Sequence, residues 1–302
     1  MLGRRQIREK VIQTLYSYHQ NPIKYDVLEK NMFSDIQKIY SLYVYQLNFL
    51  VGLKDLAEHQ IEIARNKFIK TDSDINPNQK FINNQVLSQI EENEERLSFT
   101  SKHKYLKWDL HDDLLVKTFQ RMMTGKRYQD YMQSEEISFE DDQKFIGKLY
   151  LRYVAENEDF HDLYEDKELS WSDDFHIANS MMQKTIGFMK DGDNSHTLIK
   201  MIKDEDDENF AKKLLRASLN HWEENEKKIE TRLQGWELDR VALMDKILIQ
   251  TALTELDNFP QTAARIIINE YVDISKVYGT EKSNVFVNGI LDKYVKDTNR
   301  VN

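Results

Sequence analysis

Apolar residues recur along most of this chain at a spacing of three and four, which places them on one face of an α-helix. The first stripe, Ile7, Val11, Leu15 and Tyr18, predicts a helix over 4–19 that ends before Asn21-Pro22. Within 26–70 a face carrying Phe33, Ile36, Tyr40, Tyr43, Val44, Leu47, Leu50 and Val51 predicts one or two long helices. A polar cluster over 71–78 reads as a turn around Pro77, and helices are predicted over 79–97 and 113–125. Towards the C-terminus Ala264, Ile267, Ile268, Tyr271, Ile274, Ser275 and Tyr278 share a face. Gly279 then stands where a left-handed residue would stop that helix. A last helix should start near Ser283, a good N-cap, and bury Phe286, Ile290, Leu291 and Tyr294. Gly289 inside it costs about 1 kcal/mol against alanine, which close packing on another helix would explain.

A fainter regularity lies over the middle. Phe145, Lys148, Leu149, Trp171 and Asp174 match Phe210, Lys213, Leu214, Trp236 and Asp239, each 65 residues further on. Segments 145–188 and 210–253 are then either related helix pairs or a coincidence within helical sequence of low complexity.

Composition points the same way as the periodicity. Three prolines and nine glycines in 302 residues leave few helix breakers, so the fold class is all-α. With 40% hydrophobic residues the chain can bury a core, as one large domain or two ordinary ones. The absence of cysteine excludes disulfides and thiolate chemistry and fits a reducing compartment. Behind the charged N-terminus there is no apolar stretch of signal-peptide type. The most apolar run, 40–53, is interrupted by Gln46 and Asn48 and is too short to span a bilayer. A soluble cytoplasmic protein with no membrane partner is expected.

Charge narrows the chemistry further. A net charge of −10 argues against indiscriminate coating of nucleic acid, which needs broad neutralisation of phosphates. The N-terminal end is locally basic, with Arg4, Arg5, Arg8 and Lys10 against Glu9. Arginine suits phosphate and stacks on bases, and at a helix start it opposes the helix dipole, so RNA binding outweighs a purely solubilising role. Arg4 and Arg8 lie close in angle to the apolar stripe but nearer the N-terminus, so they should overhang the rim of the packed body. The acidic runs at 204–208 and 91–95 read as solvated loops or helix starts. Catalysis finds little support: no nucleophile–base pair, phosphate-cradling glycine loop or metal spacing emerges. Asp72, Asp74 and Asn76 mimic a calcium loop, but Pro77 replaces its glycine and Asn83 its bidentate glutamate. His111 sits among Asp109, Asp112 and Asp113 without a second histidine at ligand spacing, and Asp capping of the next helix explains that cluster more simply. No metal and no cofactor are expected.

Three blocks carry a resemblance. The order Ile268-Asn269-Glu270, Tyr278-Gly279-Thr280-Glu281-Lys282-Ser283 and Phe286-Val287-Asn288-Gly289-Ile290-Leu291-Asp292-Lys293 resembles the C-terminus of the NusB family of transcription antitermination factors. Residues 3–17, with their arginine-rich turn and Leu15-Tyr16 pair, are similar to that family's first helix. Phe210, Leu214 and Leu215, Trp236 to Ala242, Ile247-Leu248 and Glu255-Leu256 are similar to its middle. The resemblance implies a NusB-like antiparallel helical core over 1–24 and 200–302, extended by a helical insertion over 25–199. It implies a binding protein and not an enzyme, acting on boxA-like single-stranded RNA together with the ribosomal protein NusE. The pair would help the RNA polymerase antitermination complex read through ribosomal RNA operons. The family's contacts carry over to Arg4, Arg5, Arg8, Lys282 and Phe286 for RNA, and to Tyr16, Asp239 and Asp245 for the protein partner. An aromatic such as Phe286 on an amphipathic helix also fits a core role, Tyr16 also fits packing beside Leu15, and the two aspartates also fit helix capping. Lys282 stands where many relatives have an acidic residue, so the local RNA contact is expected to differ. Gln250 stands where an arginine is common and Thr254 where a tyrosine is common, so the surface of the helix that carries these two is expected to be atypical. Asn269 and Glu270 read as internal hydrogen-bonding and capping groups. The alternative is a helical protein-interaction scaffold that has lost RNA binding.

Overall fold

A computed structural model describes residues 3–135, 138–193, 197–233 and 237–300, and among them every regular element is helical. The chain divides into two compact units, Met1–Ile36 with Ile202–Asn302, and Gln37–Met201. Helix α1 (Arg4–Gln20) opens the first unit, and the division falls inside the long α2 (Tyr25–Arg65).

The second unit is built around the later part of α2. Every residue from 41 to 54 is buried, so this stretch is surrounded on all sides and not merely amphipathic. Its two polar interruptions are anchoring points. Gln46 donates to the Tyr164 hydroxyl at 3.1 Å and to Asn179 Oδ1 at 2.9 Å, and accepts from the Tyr150 hydroxyl at 3.0 Å. Asn48 donates to Thr100 Oγ1 at 3.0 Å and to the Leu106 carbonyl at 2.9 Å, and accepts from Arg96 Nη1 at 2.6 Å. Buried amides that lacked such partners would cost about 1–3 kcal/mol each.

The rest of this unit follows as α3 (Asp72–Ile75), α4 (Gln85–Glu92), α5 (Glu94–Lys102), α6 (Asp113–Thr124), α7 (Lys126–Gln133), α8 (Phe139–Tyr150), α9 (Glu158–Lys167) and α10 (Leu169–Phe188). A π-helical segment, Leu151–Ala155, continues α8. The helix expected over 79–97 is therefore two: the Asn84 side chain accepts from Leu87 N and the Asn93 side chain from Arg96 N, each starting a new helix. The turn at 71–78 holds one helical turn, α3, closed by a Thr71–Asp74 capping box. Asp112 caps α6 by accepting from Leu114 N and Leu115 N.

The chain returns to the first unit through α11 (Glu205–Asn220), α12 (Trp222–Glu230), α13 (Leu243–Asn258), α14 (Ala264–Tyr278) and α15 (Ser283–Asp297). Here α13 is the central helix, with every residue from 247 to 256 buried. Ile7, Val11 and Leu15 of α1, Phe210 and Leu214 of α11, Ile267 and Tyr271 of α14, and Val287 and Leu291 of α15 complete this core. Gln250 and Thr254 are inside it, so the expectation that they mark an atypical exposed surface is corrected. On α15 Ile290, Leu291 and Tyr294 are buried as expected, joined by Val287, while Phe286 stays half-buried. Among the described residues no helix is long and apolar enough to cross a membrane.

Of the five 65-residue matches, Phe145 and Leu149 on α8 and Phe210 and Leu214 on α11 are buried. Trp171 and Asp174 are buried on α10, whereas Asp239 is exposed in a 3₁₀ turn and Trp236 lies outside the described residues.

Candidate functional site

The connection from α14 to α15 is set by a close approach. Helix α14 ends at Gly279 as expected, but with φ −95° and ψ −173° the residue is extended, which corrects the expectation of a left-handed one. What requires glycine is space: a Cβ there would stand 2.5 Å from Ser283 Oγ and 2.6 Å from the Ser275 carbonyl. Ser283 is the first residue of α15 and not its N-cap; its hydroxyl accepts from Thr280 N at 2.7 Å and is buried in the turn. This tight turn leaves Lys282 and Val285 exposed and Phe286 half-buried at the start of α15.

Facing that turn is the entry to α13, where a 3₁₀ turn, Leu238–Arg240, leads through Val241 and Ala242 into the helix. The two segments enclose an open groove of about 740 Å³. Val241, Ala242, Val285 and Phe286 give it an apolar lining; Arg240 and Lys282 supply cations, and Asp245 a carboxylate. Asp245 is 7% exposed, and its Oδ1 has no hydrogen-bond partner among the described residues. A desolvated carboxylate oxygen left open is costly, and a donor arriving in the groove would relieve it. Such a combination can hold a flat base against an aromatic ring while placing cations near phosphates.

Of the residues singled out from sequence, the groove brings together Asp245, Lys282 and Phe286. Arg4, Arg5, Arg8, Tyr16 and Asp239 do not line it. Asp239 is exposed in the preceding 3₁₀ turn, and Tyr16 is exposed on α1. Sequence reasoning missed Arg240, Val241 and Val285. Arg240 falls within the Trp236 to Ala242 block of the resemblance, but its spacing gave no sign that it would meet Lys282.

The arginine cluster differs from expectation. Arg8 does not overhang a rim: its side chain is 3% exposed and pairs with Glu255, whose side chain is 0% exposed. Arg8 Nε donates to Glu255 Oε2 at 2.8 Å and Nη2 to Oε1 at 2.5 Å, and the Tyr271 hydroxyl also donates to Oε2 at 2.9 Å. Burial works against the charge on Arg8, but Glu255 outweighs it and holds the guanidinium above its ordinary pKa. The same burial, reinforced by Glu255, pushes the Tyr271 phenol far up. Arg5 is partly exposed and reaches Glu270 at 3.0 Å and Asp273 at 2.5 Å. Hydrogen bonds from Lys276 and then Arg5 hold Asp273 below the usual carboxylate range. Arg4 pairs with Asp207 at 3.3 Å, and its guanidinium lies 5.0 Å from the centre of the Phe210 ring. Asn269 is exposed, which corrects its reading as an internal group, while Glu270 does take part in the internal network through Arg5. Among the described residues no cluster of three or more His, Cys, Asp or Glu is placed to hold a metal ion.

An all-helical unit with an open groove, lined by an aromatic ring and flanked by cations, defines the class: an all-α protein. Comparison with known proteins narrows it. The profile of the NusB family matches residues 176–296, from within α10 to near the end of α15, and leaves α1 outside. The transcription antitermination protein NusB of Salinibacter ruber is 36% identical over 127 residues, 40% of this chain and 79% of that protein. Two strains of Desulfitobacterium hafniense have a transcription antitermination protein NusB that is 38% identical over 91 residues. That match covers 30% of this chain and 62% of theirs, so the chain spans less than two thirds of those two relatives. No solved structure matches. The chain belongs to the NusB family.

Proposed function

We propose that this protein is a transcription antitermination factor that binds boxA-like single-stranded RNA together with the ribosomal protein NusE. In this reading the pair serves the RNA polymerase antitermination complex on ribosomal RNA operons, and the protein acts by binding, not by catalysis. The observation that carries it is the groove, where the half-buried Phe286 stands with Lys282 and Arg240 around an apolar floor. Unstacked bases pair with such aromatic platforms, and cations follow the backbone. Asp245, with its open acceptor, suits a donor from the protein partner, and the exposed Tyr16 and Asp239 extend the partner surface. Arg4 and Arg5 remain partly exposed and add charge beside the RNA, whereas Arg8 acts from inside by fixing α1 to α13. We assign these roles to a NusB-type core over 1–24 and 200–302, with 25–199 as a helical insertion; the contact division at 36/37 and 201/202 supports that reading.

One observation favours the alternative of a scaffold without RNA binding: Arg4, Arg5 and Arg8 are each engaged by carboxylates, which mutes the basic end. Titrating labelled single-stranded RNA across a salt series separates the two. Phe286→Ala should weaken binding at least about fivefold, since base–aromatic stacking is worth about 1–3 kcal/mol. Lys282→Gln should reduce the salt slope by about 0.7 for a lost phosphate contact. No RNA binding by the wild-type chain would support the scaffold, and wild-type affinity and slope in both variants would remove the groove as the RNA site.

A further inference from the structure

The second unit carries a cationic hollow that the groove in the first unit does not account for. Two adjoining open cavities, of about 430 and 370 Å³, share Gly125, Arg152 and Tyr153. Arg121, Thr124 and Glu156 complete one, and Lys126, Arg127 and Asp130 the other. Four cations thus meet two carboxylates, in a unit where acidic residues outnumber basic ones. Lys126, Arg127 and Arg152 make no ion pair among the described residues. Arg121 is only 3.9 Å from Asp159, a carboxylate that Lys117 approaches more closely, at 3.0 Å. Exposed cations gathered with so little pairing repel one another, and an anion would relieve that repulsion.

The backbone is shaped to make this arrangement. Arg152 and Tyr153 sit on the π-helical segment Leu151–Ala155, a form that is rare and that recurs at functional sites. Gly125 ends α6 and starts α7, and a Cβ on it would stand 2.5 Å from the Tyr153 hydroxyl. Glycine there lets the phenol come in over the start of α7, where no side chain caps the helix. That hydroxyl has no hydrogen-bond partner among the described residues. Planar guanidinium groups, a free hydroxyl and an uncapped helix start together make a donor set for phosphate oxygens.

We propose that this hollow is a second RNA site, gripping two successive phosphates of a single strand through Arg121 and Arg152, with Lys126, Arg127 and the Tyr153 hydroxyl as further donors. The inference rests on the RNA-binding reading above and adds to it a site on the second unit. Its test is a salt series of single-stranded RNA binding by the full chain and by three variants: Arg121→Gln with Arg152→Gln, Gly125→Ala, and Lys282→Gln with Phe286→Ala. Thermal unfolding of each variant serves as the folding control. A parallel titration uses inorganic phosphate alone. The double arginine variant should melt like wild type and lower the salt slope by about 1.4, two single-strand contacts. Gly125→Ala should lower affinity by moving the Tyr153 ring.

If the double arginine variant keeps wild-type slope and affinity, the inference fails; a loss confined to the groove variant then leaves the first reading standing alone. A loss confined to the hollow variants upholds the inference and removes the groove. Inorganic phosphate bound at the hollow with RNA binding unchanged makes it a small-anion site and overturns the RNA assignment. No RNA binding by the wild-type chain overturns both.

Discussion

At the scale of single residues, Arg8 and Glu255 form a two-point ion pair from which water is excluded, so removing one partner strands the other charge in the core. Breaking a buried pair in this way costs about 3–5 kcal/mol. Arg8→Ala should therefore lower stability by that amount in urea unfolding, and any loss of RNA binding should follow from the loss of fold. A variant that keeps its stability but loses RNA would return Arg8 to the RNA surface. The sequence could not show this pairing. Periodicity put Arg8 near the angle of Ile7 and Val11, which is where it is, but its partner lies 247 residues away. Nothing local distinguishes an arginine that overhangs a rim from one that turns in towards a carboxylate on another helix. Asp245, Lys282 and Phe286 were legible because the resemblance named them, while Arg240 and Val285 join the groove only through the way α13 and α15 approach.

At the scale of elements, two glycines ten residues apart should respond in opposite directions. Gly279 is needed for the close approach of the turn to Ser283 and Ser275, so Gly279→Ala should destabilise the chain. Gly289 is exposed in mid-helix, and a Cβ there would meet nothing within 4 Å, so close packing does not explain it. Gly289→Ala should stabilise by up to about 1 kcal/mol through helix propensity and the unfolded chain. Urea midpoints that shift the same way for both would contradict this account. Helix positions were largely readable, because the three-and-four spacing survives wherever one face meets solvent, as on α1 and α14. Two features were not. The break between α4 and α5 depends on Asn93 turning its side chain back to Arg96 N, which a run of polar residues conceals. Around 41–54 the stripe named only one face of a stretch that is buried on every side, and around 247–256 the same burial left a dense apolar run with polar residues inside it.

At the scale of the whole molecule, each unit is organised around a helical stretch buried on all sides, 41–54 of α2 in one and 247–256 of α13 in the other. In each, one buried polar residue of that helix is held by specific partners: Asn48 by Arg96, and Glu255 by Arg8 and Tyr271. The all-α class was legible from composition and periodicity alone. The boundary at 36/37 was not, because it lies within α2, where no linker composition marks it. In the proposed function the groove in the first unit acts as part of an assembly, in which RNA and a protein partner strengthen each other's binding. Coupling between two ligands is typically worth about 1–3 kcal/mol, or about 5- to 150-fold. The most direct measurement is the affinity of labelled boxA-like RNA for the full chain with and without saturating NusE, repeated with Asp245→Asn. The account expects tighter RNA binding by at least about fivefold with the partner, and loss of that gain in Asp245→Asn without loss of RNA binding by the chain alone. Equal RNA affinity with and without the partner would contradict it.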